Sequence, residues 1–167
     1  MQDEIWVRIA DFPGYSVSDA GRIRNDKTGK IMTPLSNQSG IVSVGLFRES
    51  VQYKRAVSLL VGAAFIPKTA MQRETFNSMI NLDGDKTNNR VPNLMWRPKW
   101  FAVKYFRQFH EPPQGIDAPI MDTVSGEVFA SSWAAALTFG LLDREILRSI
   151  AIRTYVWPTF QTFRTLD

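Results

Sequence analysis

An α+β fold is predicted for this chain of 167 residues by three features: two-residue apolar alternation through the first fifty positions, a helical period from Lys54, and a proline-rich break before a hairpin and two short helices. Residues 4–24, EIWVRIADFPGYSVSDAGRIR, read as a short strand, a Pro-Gly turn, a second strand alternating at Tyr15 and Val17, and an Asp-Ala-Gly turn into a third strand. GIVSVGLF from Gly40 to Phe47 alternates again, so a small antiparallel sheet is expected here. KRAVSLLVGAAF, Lys54 to Phe65, places Val57, Leu60, Val61 and Ala64 on one helical face, and Pro67 stops it.

The next stretch, INLDGDKTNNRVPNLMW from Ile80 to Trp96, is dense with turn chemistry between two apolar anchors. Asp83-Gly84 is a tight-turn dipeptide, Asn88-Asn89 tolerates left-handed backbone and Pro92 blocks a central strand. Such a loop can be a plain surface turn or the frame of a site.

From Arg97 to His110, RPKWFAVKYFRQFH carries four Lys or Arg residues and no acid among five aromatic rings. A helix is expected with Trp100, Val103, Phe106 and Phe101 as its core stripe, leaving Lys99, Lys104 and Arg107 in solvent or against phosphates. EPPQGIDAP, with three prolines and a glycine within nine residues, reads as a linker. The expected domains are therefore 1–110, a linker at 111–119, and 120–167. In the last, a hairpin turns at Ser125-Gly126. Ser132 is positioned to cap a helix over WAAALTF that Gly140 ends, and Asp143 to cap a second through REILRSIA, a pattern that suggests a helix-turn-helix. Its second helix offers Arg144 and Arg148, with Arg153 following.

Composition narrows the chemistry. Cysteine is absent, removing disulfides, thiol nucleophiles and thiolate metal sites, and His110 is the single histidine, so no mechanism can use two imidazoles. A charge of +4 and a pI of about 9.6 favour an anionic partner mildly. No apolar run reaches the roughly 20 residues that span a bilayer, and the acidic MQDEIWVR start is unlike a signal peptide, so a soluble, cytoplasmic protein is expected.

These segments resemble a known family. IWVRIADFPGYSVSDAGRIR is similar to the small N-terminal module associated with HNH nucleases, VSLLVGAAFIP with INLDGDKTNNRVPNLMW to the HNH core, and Ile120 to Arg164 to a modular DNA-binding repeat. Their order is that of phage intron-encoded HNH homing endonucleases. The resemblance implies a ββα-metal core in which a divalent ion and a histidine act on the phosphodiester.

At the family's reactive positions this sequence departs. Ser58 stands where the first family histidine is expected, Ile80-Asn81 replaces the Asp-His pair, and Ala102 falls where the late metal-ligand asparagine belongs. Ile80 and Ala102 neither coordinate metal nor move a proton, and Asn81 is no base near neutral pH. The turn residues Asp83, Gly84, Asp85, Asn88, Asn89, Asn93 and Trp96 survive; Asp83 and Asp85 are weak cation candidates.

The expectation is a catalytically inactive HNH-like protein that binds double-stranded DNA through Lys99, Lys104, Arg107, Arg144, Arg148 and Arg153, with no cofactor. The alternatives are a protein-binding module directed at a host or phage partner, and a residual nicking enzyme using Mg or Mn.

Overall fold

The computed structural model describes residues 3–167, which fall into two compact units: residues 3–81 with Asp85–Lys99, and Leu82–Gly84 with Trp100–Asp167. The sheets are small and antiparallel and the helices number four among the described residues, as the α+β reading requires.

In the first unit the N-terminal strands form two three-stranded sheets rather than one. β1 (Trp6–Arg8), β2 (Tyr15–Ser18) and β3 (Ile23–Asn25) pair in order, with Trp6 opposite Ser18 and Tyr15 opposite Asn25. All four residues of β2 are buried, so its alternation does not mark a wet face. Its two serines are satisfied locally instead: the Ser16 hydroxyl donates to Asp26 at 2.8 Å, and the Ser18 hydroxyl accepts from the Arg22 amide at 3.0 Å. β4 (Leu35–Ser36), β5 (Val42–Arg48) and β6 (Val51–Ala56) make the second sheet. Glu49 and Ser50 both take positive φ, the twist a two-residue hairpin loop demands between β5 and β6.

Helix α1 spans Val57–Phe65, so Lys54 to Ala56 belong to β6 and not to the helix. Pairing with β5 outweighs the helical period there, since Ser43 to Gly45 fix Ala56 to Lys54 in the ladder. The helix ends with Ile66 extended ahead of Pro67, which disfavours helical backbone in its predecessor. Its buried face packs on β7 (Ser78–Asn81) and β8 (Leu94–Arg97) as well as on the earlier strands. The contact is close: a Cβ on Gly62 would meet the Trp96 ring at 2.8 Å and Met79 Sδ at 2.9 Å. The Trp96 indole N–H reaches the Ile66 carbonyl at 2.7 Å.

Helix α2, Lys99–Arg107, buries Phe101, Ala102 and Tyr105, while Trp100 and Val103 are more than half exposed. The expected stripe of Trp100, Val103 and Phe106 is therefore out of phase. Trp100, Phe101 and Ala102 are consecutive, so apolar content alone does not fix which face turns inward; Tyr105 does, by donating its hydroxyl to the Leu82 carbonyl at 2.7 Å.

The rest of the second unit is a sheet in the order β10-β9-β11, built from β9 (Ile120–Asp122), β10 (Val128–Phe129) and a C-terminal β11 (Phe163–Thr165), with helices α3 (Ser132–Phe139) and α4 (Asp143–Ile152). Ile120, Phe129, Ala135, Leu141, Ile146 and Phe163 are the centre of its core, each large side chain contributing about 1.5–3 kcal/mol by burial. The cap of α3 is Ser131, whose hydroxyl accepts from the Ala134 amide at 3.1 Å, and that of α4 is Leu142, without a side-chain cap. Ser132 and Asp143, expected as caps, are instead buried one residue inside their helices. Gly140 closes α3 in the left-handed conformation, as expected.

The expected linker at 111–119 does not coincide with the boundary between the compact units, which falls at Lys99 and Trp100. Proline and glycine report that a segment is neither helix nor strand, not that it is loose. Here the amides of Gln114 and Gly115 donate to Asp143 Oδ2 at 3.1 and 2.9 Å, and the Ile116 amide to the Ser132 hydroxyl at 2.6 Å. Ser132 also donates to Asp143 Oδ1, so the buried carboxylate is fully engaged. Gly115 approaches so closely that an added Cβ would lie 2.0 Å from both Asp143 and Ser132.

Candidate nucleic-acid interface and the asparagine loop

The polar turn after β7 is tied together by its own asparagines. Asn81, 3% exposed, donates from Nδ2 to the Asn88 carbonyl at 2.8 Å and to Asn89 Oδ1 at 3.0 Å. Asn93 donates to the same Asn88 carbonyl at 2.8 Å, and Asn89 to the Lys86 carbonyl at 3.2 Å. Asp85 accepts from the amide and hydroxyl of Thr87 at 2.9 and 2.6 Å, an Asx turn. The backbone of Asn89 lies against Gly21, where a Cβ would come within 2.8 Å of the Asn89 carbonyl and φ is +82°. Only glycine fits there.

This arrangement does not fit the divalent ion that the resemblance implies. Ile80 is wholly buried in the core, Asn81 spends its amide on the loop, and Ala102 is a buried methyl on α2. Ser58 lies one residue inside the start of α1, partly exposed. Asp83 and Asp85 are exposed, and among the described residues no group of three or more His, Asp or Glu is arranged to hold a metal.

The cations are distributed differently. Lys104 and Arg107 on α2 and Arg144 and Arg148 on α4 line one groove of about 550 Å³ in the second unit. On each helix the pair is three or four residues apart, so both members share a face, and all four are exposed. The stripe of α4 that faces inward, Asp143, Ile146 and Ser149, leaves Arg144 and Arg148 outside. Three carboxylates also line the groove, Glu111, Asp143 and Glu145. Asp143 is buried and its oxygens accept from the Gln114 and Gly115 amides and the Ser132 hydroxyl, whereas Glu145 pairs with Arg148 at 3.6 Å.

Two of the six expected contact residues are not in this groove. Lys99 belongs to the first unit, and Arg153 ends α4 in the left-handed conformation and lines a separate cleft with Arg164. Gln108 and Trp133, which the sequence did not single out, form part of the groove. Gln108 fixes the start of α4 by accepting from the Asp143 amide at 3.1 Å and donating to the Leu141 carbonyl at 3.2 Å. Arg97, counted with the basic segment, is buried in β8 and donates to the Trp96 carbonyl at 2.8 Å.

Elsewhere one charge pair is strongly shifted. The Arg22 guanidinium hydrogen-bonded to Glu4 lowers that carboxyl from its usual 4.5 to about 2. No helix among the described residues is long and apolar enough to cross a membrane.

Comparison with known proteins agrees with this architecture. Residues 4–47 match the NUMOD4 motif. The chain is 33% identical over 91 residues to an uncharacterized HNH endonuclease of Acanthamoeba polyphaga mimivirus, covering 54% of this chain and 26% of the relative. A second uncharacterized HNH endonuclease of that virus is 33% identical over 98 residues, covering 57% of this chain and 24% of its own length. The chain thus spans about a quarter of each relative. Among solved structures, the HNH homing endonuclease I-HmuI, described in DNA binding and cleavage, superposes with a TM-score of 0.52 at 20% identity over 97% of this chain and 98% of that one.

Proposed function

We propose, from the likeness of the fold to an HNH homing endonuclease and of the sequence to viral HNH endonucleases, that the protein binds double-stranded DNA without cutting it. The observation that carries the binding is the groove in which Lys104, Arg107, Arg144 and Arg148 converge. Four exposed cations on two helices suit an extended anionic backbone better than a buried ligand, and they read position rather than sequence. The α3–α4 pair acts as a helix-turn-helix in this reading, with Arg144 and Arg148 on its second helix. Loss of cutting is supported by the donor chemistry: Ile80, Asn81 and Ala102 offer no carboxylate or imidazole for a metal or a water.

Duplex binding measured across a salt series is the test. Four phosphate contacts predict a log–log slope of about −3 to −4, and no binding at low salt would sink the reading. Supercoiled plasmid with Mg or Mn stays intact in the same reading; nicking that Asp83→Ala abolishes would overturn the inactive half of it. In a second reading, favoured by the exposed Leu35, Ile41, Phe47 and Val51 around β4–β6, the scaffold binds a protein. One stoichiometric partner with no DNA footprint would establish that.

A further inference from the structure

Beside the cationic groove lies an aromatic cleft of about 530 Å³ that shares Lys104, Leu142, Glu145 and Arg148 with it. Trp100 forms one wall, stacked on Trp157 with centroids 5.3 Å apart and planes 24° from parallel. The buried Phe101 supports both rings, edge-on to Trp100 at 5.8 Å and tilted to Trp157 at 5.8 Å. Despite this bracing Trp100 remains 54% exposed, and Tyr155, on the same cleft, 52%. Folding gains little from rings held rigid yet left in water, but a flat ligand gains a stacking surface with no ordering cost. The Lys104 ammonium lies over the Trp100 ring, 5.4 Å from its centroid, on a flexible side chain that an incoming base displaces towards its phosphate, and it has no carboxylate partner among the described residues.

We propose that this cleft receives an unpaired nucleobase of a DNA strand, stacked on Trp100, with the adjoining phosphate on Lys104. A planar ring beside a cation is what a nucleotide needs, and every base has a face to stack. A perfect duplex presents no free face, so the cleft selects single-stranded, bulged or frayed DNA, while the groove next to it follows the backbone. Glu145 on the shared rim is paired with Arg148, which leaves Lys104 as the phosphate contact nearest the rings. The inference rests on the reading of this unit as a DNA-binding surface and adds to it the state of the DNA that is bound.

Titration of the full chain with a short oligothymidylate, followed by tryptophan fluorescence and by anisotropy, tests it. Binding with quenching is expected. Trp100→Ala weakens it about ten-fold, Trp100→Phe stays within about three-fold of wild type, and Tyr155→Ala gives an intermediate loss. Affinity of Trp100→Ala for a matched duplex changes less than about two-fold, because stacking plays no part there. Absence of quenching, or equal oligothymidylate affinity in wild type and Trp100→Ala, overturns the inference even if the duplex binds. Oligothymidylate binding that depends on Trp100 without duplex binding upholds the cleft and removes the duplex reading. Trp100 and Tyr155 are surface rings, and unchanged far-ultraviolet circular dichroism separates lost contact from lost fold.

Discussion

The asparagine loop after β7 and the groove between α2 and α4 are both polar, and they use their polar groups in opposite directions. In the loop, the amides of Asn81, Asn89 and Asn93 point inward and satisfy backbone carbonyls within the turn. In the groove, Lys104, Arg107, Arg144 and Arg148 reach into solvent, backed by the buried Asp143 and Ser132 and the half-buried Gln108, which bond to one another and to nearby backbone amides and carbonyls. Polarity alone therefore does not mark a site. What distinguishes the two is whether the hydrogen-bonding capacity is already spent.

Removing that backing gives the largest expected effect. Asp143→Ala strands the amides of Gln114 and Gly115 and the Ser132 hydroxyl, and urea unfolding should show a loss of about 3 kcal/mol, with Asp143→Asn losing less because one acceptor oxygen remains. In the loop, Asn81→Ala removes one of two donors to the Asn88 carbonyl and the donor to the Asn89 side-chain oxygen and should cost about 2 kcal/mol, with duplex affinity unchanged; a fall in affinity at constant stability would give the loop a binding role and break the contrast. The double change of Arg144 and Arg148 to alanine inverts the pattern: stability holds within about 0.5 kcal/mol, while low-salt duplex affinity falls about ten-fold and the salt slope flattens by about 2.

The smallest effect belongs to an exposed ion pair of the first unit. Glu4 has a folded pKa of about 2, below its usual 4.5, so its pairing with Arg22 stabilises the protein fully above about pH 4.5 and is lost as pH falls towards 2. Melting temperatures of Glu4→Gln should run below wild type above pH 4.5 and converge with it near pH 2. A constant offset across that range would assign the difference to packing.

The strands of the first fifty residues were readable because alternation and Gly turns coincide, and the groove cations because four of the six named residues lie on two amphipathic helices. The buried Ser16, Ser132 and Asp143 were not, since their role depends on partners ten or more residues away. The phase of α2 was missed for a related reason: three adjacent apolar residues fit two helical faces, and only the Tyr105 bond to Leu82 selects one. The aromatic cleft followed from that phase, because a buried Trp100 would have left no ring to offer. Its other wall was visible only as the alternating Tyr155 and Trp157 after α4.

The stitched segment 111–119 also sets where this tail can be cut for transfer to another protein. A graft beginning at Ile120, the boundary composition suggests, would carry Asp143 and Ser132 in its interior while leaving behind the Gln114, Gly115 and Ile116 amides that they hold. A transplant that begins before Gln114 keeps them together. Recombination among such modules is then constrained less by where the chain looks flexible than by which peptide groups a buried carboxylate has claimed.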